Sequence, residues 1–335
     1  KKMRAAVCVV AAVVAMISSP TPSMGFSVPS LLAPTRLVSA PRGISLHNSL
    51  RPLSAPLSNT RPRAARAGSR SGGGALSTSM GFQGTGIYLW SAASPALIGI
   101  PFNTVLALAL FVTKKYKSAL TTEGLVHAWV LGMVLWSTLG FAAWSTCVVY
   151  LAGGVAATRV RKAEKEALGI AEARGGARGP ENLWGSAATG AICALLAVYS
   201  PWDSAIFKLG FAASLATKLS DTMASEIGKA YGKTTYLITT MKLVPAGTEG
   251  AVSMEGTLAG VVGSAVIGLY AWFMGLVDPL GFLLCLVAAV VATTCESLIG
   301  ATVQGKYSWM TNEVVNFINT AIGAVVAIAG FVWLR

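Results

Sequence analysis

Acidic residues are missing from the first 122 positions, which carry thirteen Lys and Arg, and histidine is nearly missing from the whole chain, with only His47 and His127. The scarcity of histidine excludes a histidine-based triad or a His-rich metal site. Cysteine is sparse and scattered: Cys8, Cys147, Cys193, Cys285 and Cys295 form no C-x-x-C pair. Four of them fall in apolar runs, so they read as small packing residues, with no disulfide framework or zinc site. Charge itself is scarce, at 12% of 335 residues against about 25% in a soluble protein, while 54% of the chain is hydrophobic. The net charge of +13 lies entirely in the acid-free N-terminal part, since residues 123–335 hold thirteen charges of each sign. A basic excess confined to a tail without folded pattern gives no nucleic-acid surface. The remaining expectation is a protein of several membrane spans.

The leader reads as an address. Lys1, Lys2 and Arg4 precede the apolar run "AAVCVVAAVVAMI", which is too short to span and is followed by "SSPTPSMG". That layout predicts a signal peptide over 1–25. Residues 26–85 are rich in Ser, Pro, Ala and Arg and free of acids, the composition of a disordered transit peptide. The two together, with Phe26 after the expected cleavage point, resemble the leader of a plastid protein in algae with secondary plastids. An ordinary secretory signal followed by a linker is the alternative.

From residue 95 onward, apolar runs recur at about 96–112, 124–139, 140–158, 183–200, 204–220, 256–276, 279–300 and 314–334. Backbone groups in hydrocarbon must be satisfied within the segment, so these are helices. The fold class expected is all-α: a polytopic integral membrane protein of about eight transmembrane helices, its membrane-embedded domain spanning 95–335. Alternate threading places the connections at 113–123, 159–182, 221–255 and 301–313 on one face. Every Lys and Arg after residue 95 lies in or beside them except Lys208 and Arg335. By the positive-inside rule that face is cytoplasmic, or stromal in a plastid.

That face holds "KLSDTMASEIGKAYGKTTYLITTMKLVPAGTEGAVSME" (218–255). Charges beside spans are costly and therefore functional candidates. Thr217, Asp221, Ser225 and Gly228 share one helical stripe, and Thr222, Glu226, Lys229 and Lys233 form another about 100° away. An oxygen-rich face suited to a hard cation thus lies beside a lysine-bearing face suited to phosphate. Pro245 and Gly247 lead into "GTEGAVSMEGTLAG", where glycines permit close backbone approach and a following helix offers free N–H groups. No Walker A loop is present. Glu296, Asn312, Asn316 and Asn319 with Glu313, and upstream Arg174, Arg178 and Asn182, fall on the same side. Ion pairing of Asp221 with Lys218 and of Glu226 with Lys229 is the plain structural alternative, as is helix capping by Thr311 or Asn312 and packing by Gly256 and Gly260. His127 and the tryptophans read as packing or interfacial residues.

Four blocks in order resemble one family: "LTTEGLVHAWVLG", "ATRVRKAEKEALGIAEARGGARGPENLWGS", the 218–255 stretch with its "GTLAG" continuation, and "ESLIGATVQGKYSWMTNEVVNFINTAIGA". They look like the phytyl-phosphate kinases of vitamin E (tocopherol) biosynthesis and their prokaryotic integral-membrane relatives. The resemblance runs from about 102 to the end and leaves out the leader. It implies a phosphotransferase passing a phosphoryl group from a nucleoside triphosphate, with CTP the expected donor, to phytyl phosphate. The product is phytyl diphosphate, for tocopherol and phylloquinone. The pattern of Asp221, Ala224, Gly228, Gly232, Lys233, Glu255, Gly256 and Thr257 is also similar to that of phytol and dolichol kinases and of membrane cytidylyltransferases.

Phosphoryl transfer needs positioning and charge neutralisation. Asp221 and Glu226 are expected at Mg²⁺, Lys229, Lys233 and Lys242 at phosphates, and the 247–257 loop (Gly247, Thr248, Glu249, Gly250, Gly256, Thr257) at the nucleotide. Glu255, Glu296, Asn312, Asn316, Arg178 and Asn182 complete the site. The lipid bilayer takes the prenyl tail, and the expected location is a plastid envelope or thylakoid membrane with the site facing the stroma. A membrane cytidylyltransferase, another polyprenyl-phosphate kinase and an isoprenoid-phosphate transporter are the alternatives.

Overall fold

The structure, a computed structural model, describes residues 95–304 and 306–335; the expected signal and transit segments lie outside them. Among the described residues eight α-helices follow in order: α1 (Pro95–Thr113), α2 (Thr122–Arg159), α3 (Lys162–Ala167), α4 (Pro180–Tyr199), α5 (Ser204–Tyr231), α6 (Met254–Phe273), α7 (Pro279–Thr302) and α8 (Asn312–Leu334). A two-stranded antiparallel ribbon, β1 (Tyr236–Leu237) with β2 (Ala251–Val252), lies between α5 and α6.

Helix starts follow local chemistry. Thr121, Asp203, Ser253 and Asp278 accept hydrogen bonds from the first free N–H groups of α2, α5, α6 and α7, and Pro180 and Pro279 occupy first-turn positions that need no donor. Thr311 sits at the cap position of α8 but its side chain makes no capping bond.

Five of these helices are long and apolar enough to cross a membrane: α2, α4, α6, α7 and α8; Leu97–Thr113 is a shorter apolar helix. At 38 residues α2 is about twice the length a bilayer needs, and it breaks at Gly140 (φ 70°, ψ −159°). Asn103 of α1 donates to the Trp129 carbonyl (2.8 Å) and accepts from Trp144 Nε1 (3.2 Å). In a straight helix those residues would stand about 22 Å apart. Two arms, 122–139 and 141–159, therefore fold back on one another, as the separate apolar runs predict. The sequence expectation that 204–220 spans corresponds to α5, which is too polar to qualify on hydropathy because its last turns carry the charged stripes.

α5 is the axis of the bundle, packed by α2, α4, α6, α7 and α8. Its segment from Phe207 to Ser220 is buried almost without interruption. Small residues set the closest approach, that of α5 and α6. A Cβ added at Gly256 would stand 3.2 Å from Gly228 Cα, and one at Gly260 would stand 3.0 Å from Ser220 Oγ. The packing role foreseen for this glycine pair is present.

The four longer connections gather at one end. Leu120 and Arg178 bridge the 114–121 and 177–179 segments, and the glycine loop meets Ile170 at Gly247 and Ala301 at Gly250. Gly185 of α4 touches Glu313 at the start of α8. At the opposite end the connections are short, with Arg335 paired to Asp278.

Candidate functional site

The crowded end encloses a cavity of about 480 Å³, within the usual range for small-ligand sites. The last turns of α5 form one wall, contributing Lys218, Asp221, Thr222, Ser225, Gly228 and Lys229. The glycine loop 246–253 and the start of α6 (Gly256, Thr257) form a second wall, and Thr293, Glu296 and Ser297 of α7 a third. Arg178, Asn182, Asn312, Glu313 and Asn316 close it.

A buried cation lies at its base. Lys218 Nζ donates to Asp221 Oδ2 (2.5 Å) and to Asn316 Oδ1 (2.8 Å), joining α5 to α8. The ion pair foreseen as the plain alternative is therefore real, yet it stands in the cavity wall and is shared with an asparagine from another helix. Glu296 lies within electrostatic reach of Asp221, Lys218 and Glu249. Asn182 Nδ2 donates to Glu313 Oε1 (3.3 Å), and Arg174 donates to Glu181 (2.5 Å) and to Asn182 Oδ1 (2.7 Å), tying the 173–182 segment to α8.

The loop reaches this wall because two glycines take left-handed conformations, Gly247 (φ 88°) and Gly250 (φ 74°). A side chain at Gly250 would collide with the backbone of Ser297 and Ala301 on α7. Ile238 N donates to the Gly250 carbonyl (3.1 Å), anchoring the loop to the ribbon.

Four sequence-predicted residues do not line the cavity. Glu226 is 1% exposed and faces the other side of α5, in a sealed pair with Lys165 of α3, with Lys229 Nζ 3.3 Å from its other oxygen. Two carboxylates five positions apart do not share a helical face, and Glu226 is withdrawn as a partner of Asp221 in holding a metal. Lys233 and Lys242 are exposed, turned outward where the chain enters and forms the ribbon. Glu255 receives the Lys233 backbone N–H (3.4 Å), stitching the ends of the excursion together. The other thirteen residues proposed from sequence for the site all line the cavity.

Three participants were missed. Lys218 reads from sequence only as a pairing partner of Asp221. Tyr150 accepts a hydrogen bond from Arg178 Nη1 (2.6 Å), and the guanidinium carbon stands 5.1 Å from its ring centre. A tyrosine within an apolar run carries no sequence signal for that role. Lys165 lies in "RKAEKEA", which looks like a solvated charge run, and only the fold shows it buried with its Nζ also on the Thr158 carbonyl (3.0 Å).

Among the described residues no group of three or more His, Cys, Asp or Glu side chains is arranged to hold a metal by itself. Magnesium does not require one, since it is commonly held by one or two carboxylates with phosphate oxygens and water. Asp221 and Glu296, on facing helices of one cavity, fit that donor set.

Residues 105–324 match the model of the family described as "Integral membrane protein DUF92". An uncharacterised membrane protein of Synechocystis is 50% identical over 245 residues, covering 72% of this chain and 93% of its own. "Protein VTE6, chloroplastic" of Arabidopsis thaliana is 43% identical over 245 residues, covering 72% and 73%. An uncharacterised membrane protein of Methanocaldococcus jannaschii is 31% identical over 225 residues, covering 67% and 90%. No solved structure matches the chain. A helical bundle with apolar spans, matched over most of its folded length by plastid, cyanobacterial and archaeal proteins, has its place: the chain belongs to the DUF92 family of integral membrane proteins.

Proposed function

We propose that this protein transfers the γ-phosphoryl group of a nucleoside triphosphate, CTP in the first instance, to phytyl phosphate or a closely related prenyl phosphate. The observation that carries this reading is a polar cavity at one end of an apolar bundle. It brings the Lys218–Asp221 pair, Glu296, Arg178 and a glycine loop around a space of about 480 Å³. The resemblance of four sequence blocks to phytyl-phosphate kinases supports the substrate class. A relative named as chloroplastic supports a plastid membrane, and the gathering of Lys and Arg at the crowded end supports its facing the stroma.

In the proposed reaction an oxygen of the acceptor monophosphate bonds to the γ-phosphorus, the bond from that phosphorus to the β–γ bridging oxygen breaks, and the nucleoside diphosphate leaves with that oxygen. The acceptor is already an anion, so no strong general base is required. Asp221 and Glu296 would hold Mg²⁺ together with phosphate oxygens, and the ion would supply neutralisation of charge on the transferring group. Lys218 orients Asp221 through their hydrogen bond and adds a fixed positive charge. Backbone N–H groups of the 247–250 loop and the start of α6 cradle the nucleotide phosphates. Lys229, lining the same wall, offers a further cation.

The test is an assay of the purified full chain in detergent with γ-labelled CTP, Mg²⁺ and phytyl phosphate. Labelled prenyl diphosphate is expected, and its formation should stop on chelation. Release of pyrophosphate in place of CDP, or no lipid product with any triphosphate, contradicts the proposal.

A further inference from the structure

A second cavity, apolar and of about 100 Å³, adjoins the first. Leu131, Leu135, Trp144, Val148 and Leu151 from the two arms of α2 and Ala187 from α4 are among its walls. Arg178 and Ser186 line both cavities, so the two meet at the guanidinium.

Arg178 is held firmly there. Its backbone N–H bonds to the Ala119 carbonyl (2.9 Å), its carbonyl accepts from Thr121 N (3.0 Å), and Tyr150 fixes its side chain. Gly154 leaves the room the guanidinium occupies, since any side chain there would collide with Nη2. The other cations of the polar cavity each stand in an ion pair with a carboxylate of the protein: Lys218 with Asp221, Lys229 with Glu226 and Glu172, Arg174 with Glu181. Among the described residues Arg178 has no such carboxylate, and its free charge faces the boundary between a polar space and an apolar one. An amphiphile with a phosphate head and a hydrocarbon tail is the ligand whose chemistry changes at that point.

Resting on the function proposed above, we infer that Arg178 holds the phosphate of the prenyl acceptor and that the apolar cavity takes only the carbons nearest that phosphate. An apolar cavity of about 150 Å³ admits benzene, so this one holds about four or five carbons, one isoprene unit. The remainder of the chain leaves past Val148, which lines the cavity and is 43% exposed at the surface of the bundle. Selectivity then concerns branching and saturation next to the phosphate, whereas chain length beyond the first unit is read only by the bilayer. Arg178, which the sequence reading names only as completing the site, is thereby given to the acceptor.

The test is photolabelling of the purified full chain in detergent, without nucleotide. The probe is a prenyl monophosphate carrying a diazirine in its first isoprene unit, and the labelled peptides are mapped by mass spectrometry. Label is expected within 144–151 and 183–187, displaced equally well by short and long saturated prenyl monophosphates. Ala187→Phe, which fills the cavity, should weaken displacement about tenfold and leave triphosphate binding unchanged. Label confined to other segments, or displacement that strengthens steeply with each added unit, overturns the inference. Label in this cavity from a protein that forms no diphosphate leaves the inference standing and defeats the proposed function; diphosphate formation with label elsewhere does the reverse.

Discussion

Two lysine–carboxylate pairs sit little more than one turn apart on α5, chemically alike and differently placed. Lys218–Asp221 lies in a cavity wall, its side chains 8% and 12% exposed, and Lys218 also reaches across to Asn316 of α8. Lys165–Glu226 is closed off at 2% and 1%, and its lysine belongs to the short helix α3. The first pair faces open polar space. The second fastens the 160–178 segment, which carries Arg174 and Arg178, against the bundle. Burial of an ion pair is thus no sign of a site by itself; what matters is whether open polar space meets it.

The sharpest way to break this contrast is Asp221→Asn, which keeps the shape and removes the charge. Phosphoryl transfer is expected to fall by about 10²–10³-fold or more, with the helical circular dichroism signal retained. Glu296→Gln, on the facing helix, should cost about 10–10²-fold in kcat and shift the Mg²⁺ requirement upward, read from rate against metal concentration. Glu226→Gln should act on folding instead: unpairing buried Lys165 costs about 3–5 kcal/mol of stability, measured by thermal unfolding in detergent. The double change Lys165→Met with Glu226→Leu should recover most of that loss. Least of all, Lys242→Ala should change kcat/KM by less than about twofold, because its side chain points to solvent.

Much of the fold is legible in the sequence because membrane segments are written in composition. The pair of runs flanking Gly140 corresponds to the two arms of α2, which break at that glycine. Helix ends are less legible. The apolar run stops near Ser220, where the hydrophobic layer would end, but α5 continues to Tyr231 because helix and bilayer need not end together.

The site divides along the same line. Asp221, Glu296, Asn316 and the glycine loop can be found by asking which polar groups share one end of the bundle. Glu226 misleads because its partner Lys165 is 61 positions away and looks like part of a solvated run. Lys233 and Lys242 mislead because the ribbon formed by β1 and β2 rotates them outward, a turn set by pairing between Tyr236 and Val252 that no charge pattern displays. Tyr150 becomes visible only once Arg178 is seen resting on it.

The most direct measurement compares Asp221→Asn with Glu226→Gln in one assay of phosphoryl transfer from γ-labelled CTP to phytyl phosphate, each rate normalised to folded protein. The account predicts a folded but inactive Asp221 variant and a less stable Glu226 variant that turns over at close to the parent rate. An Asp221 variant that keeps its activity, or a folded Glu226 variant that loses it, would contradict the assignment of the site.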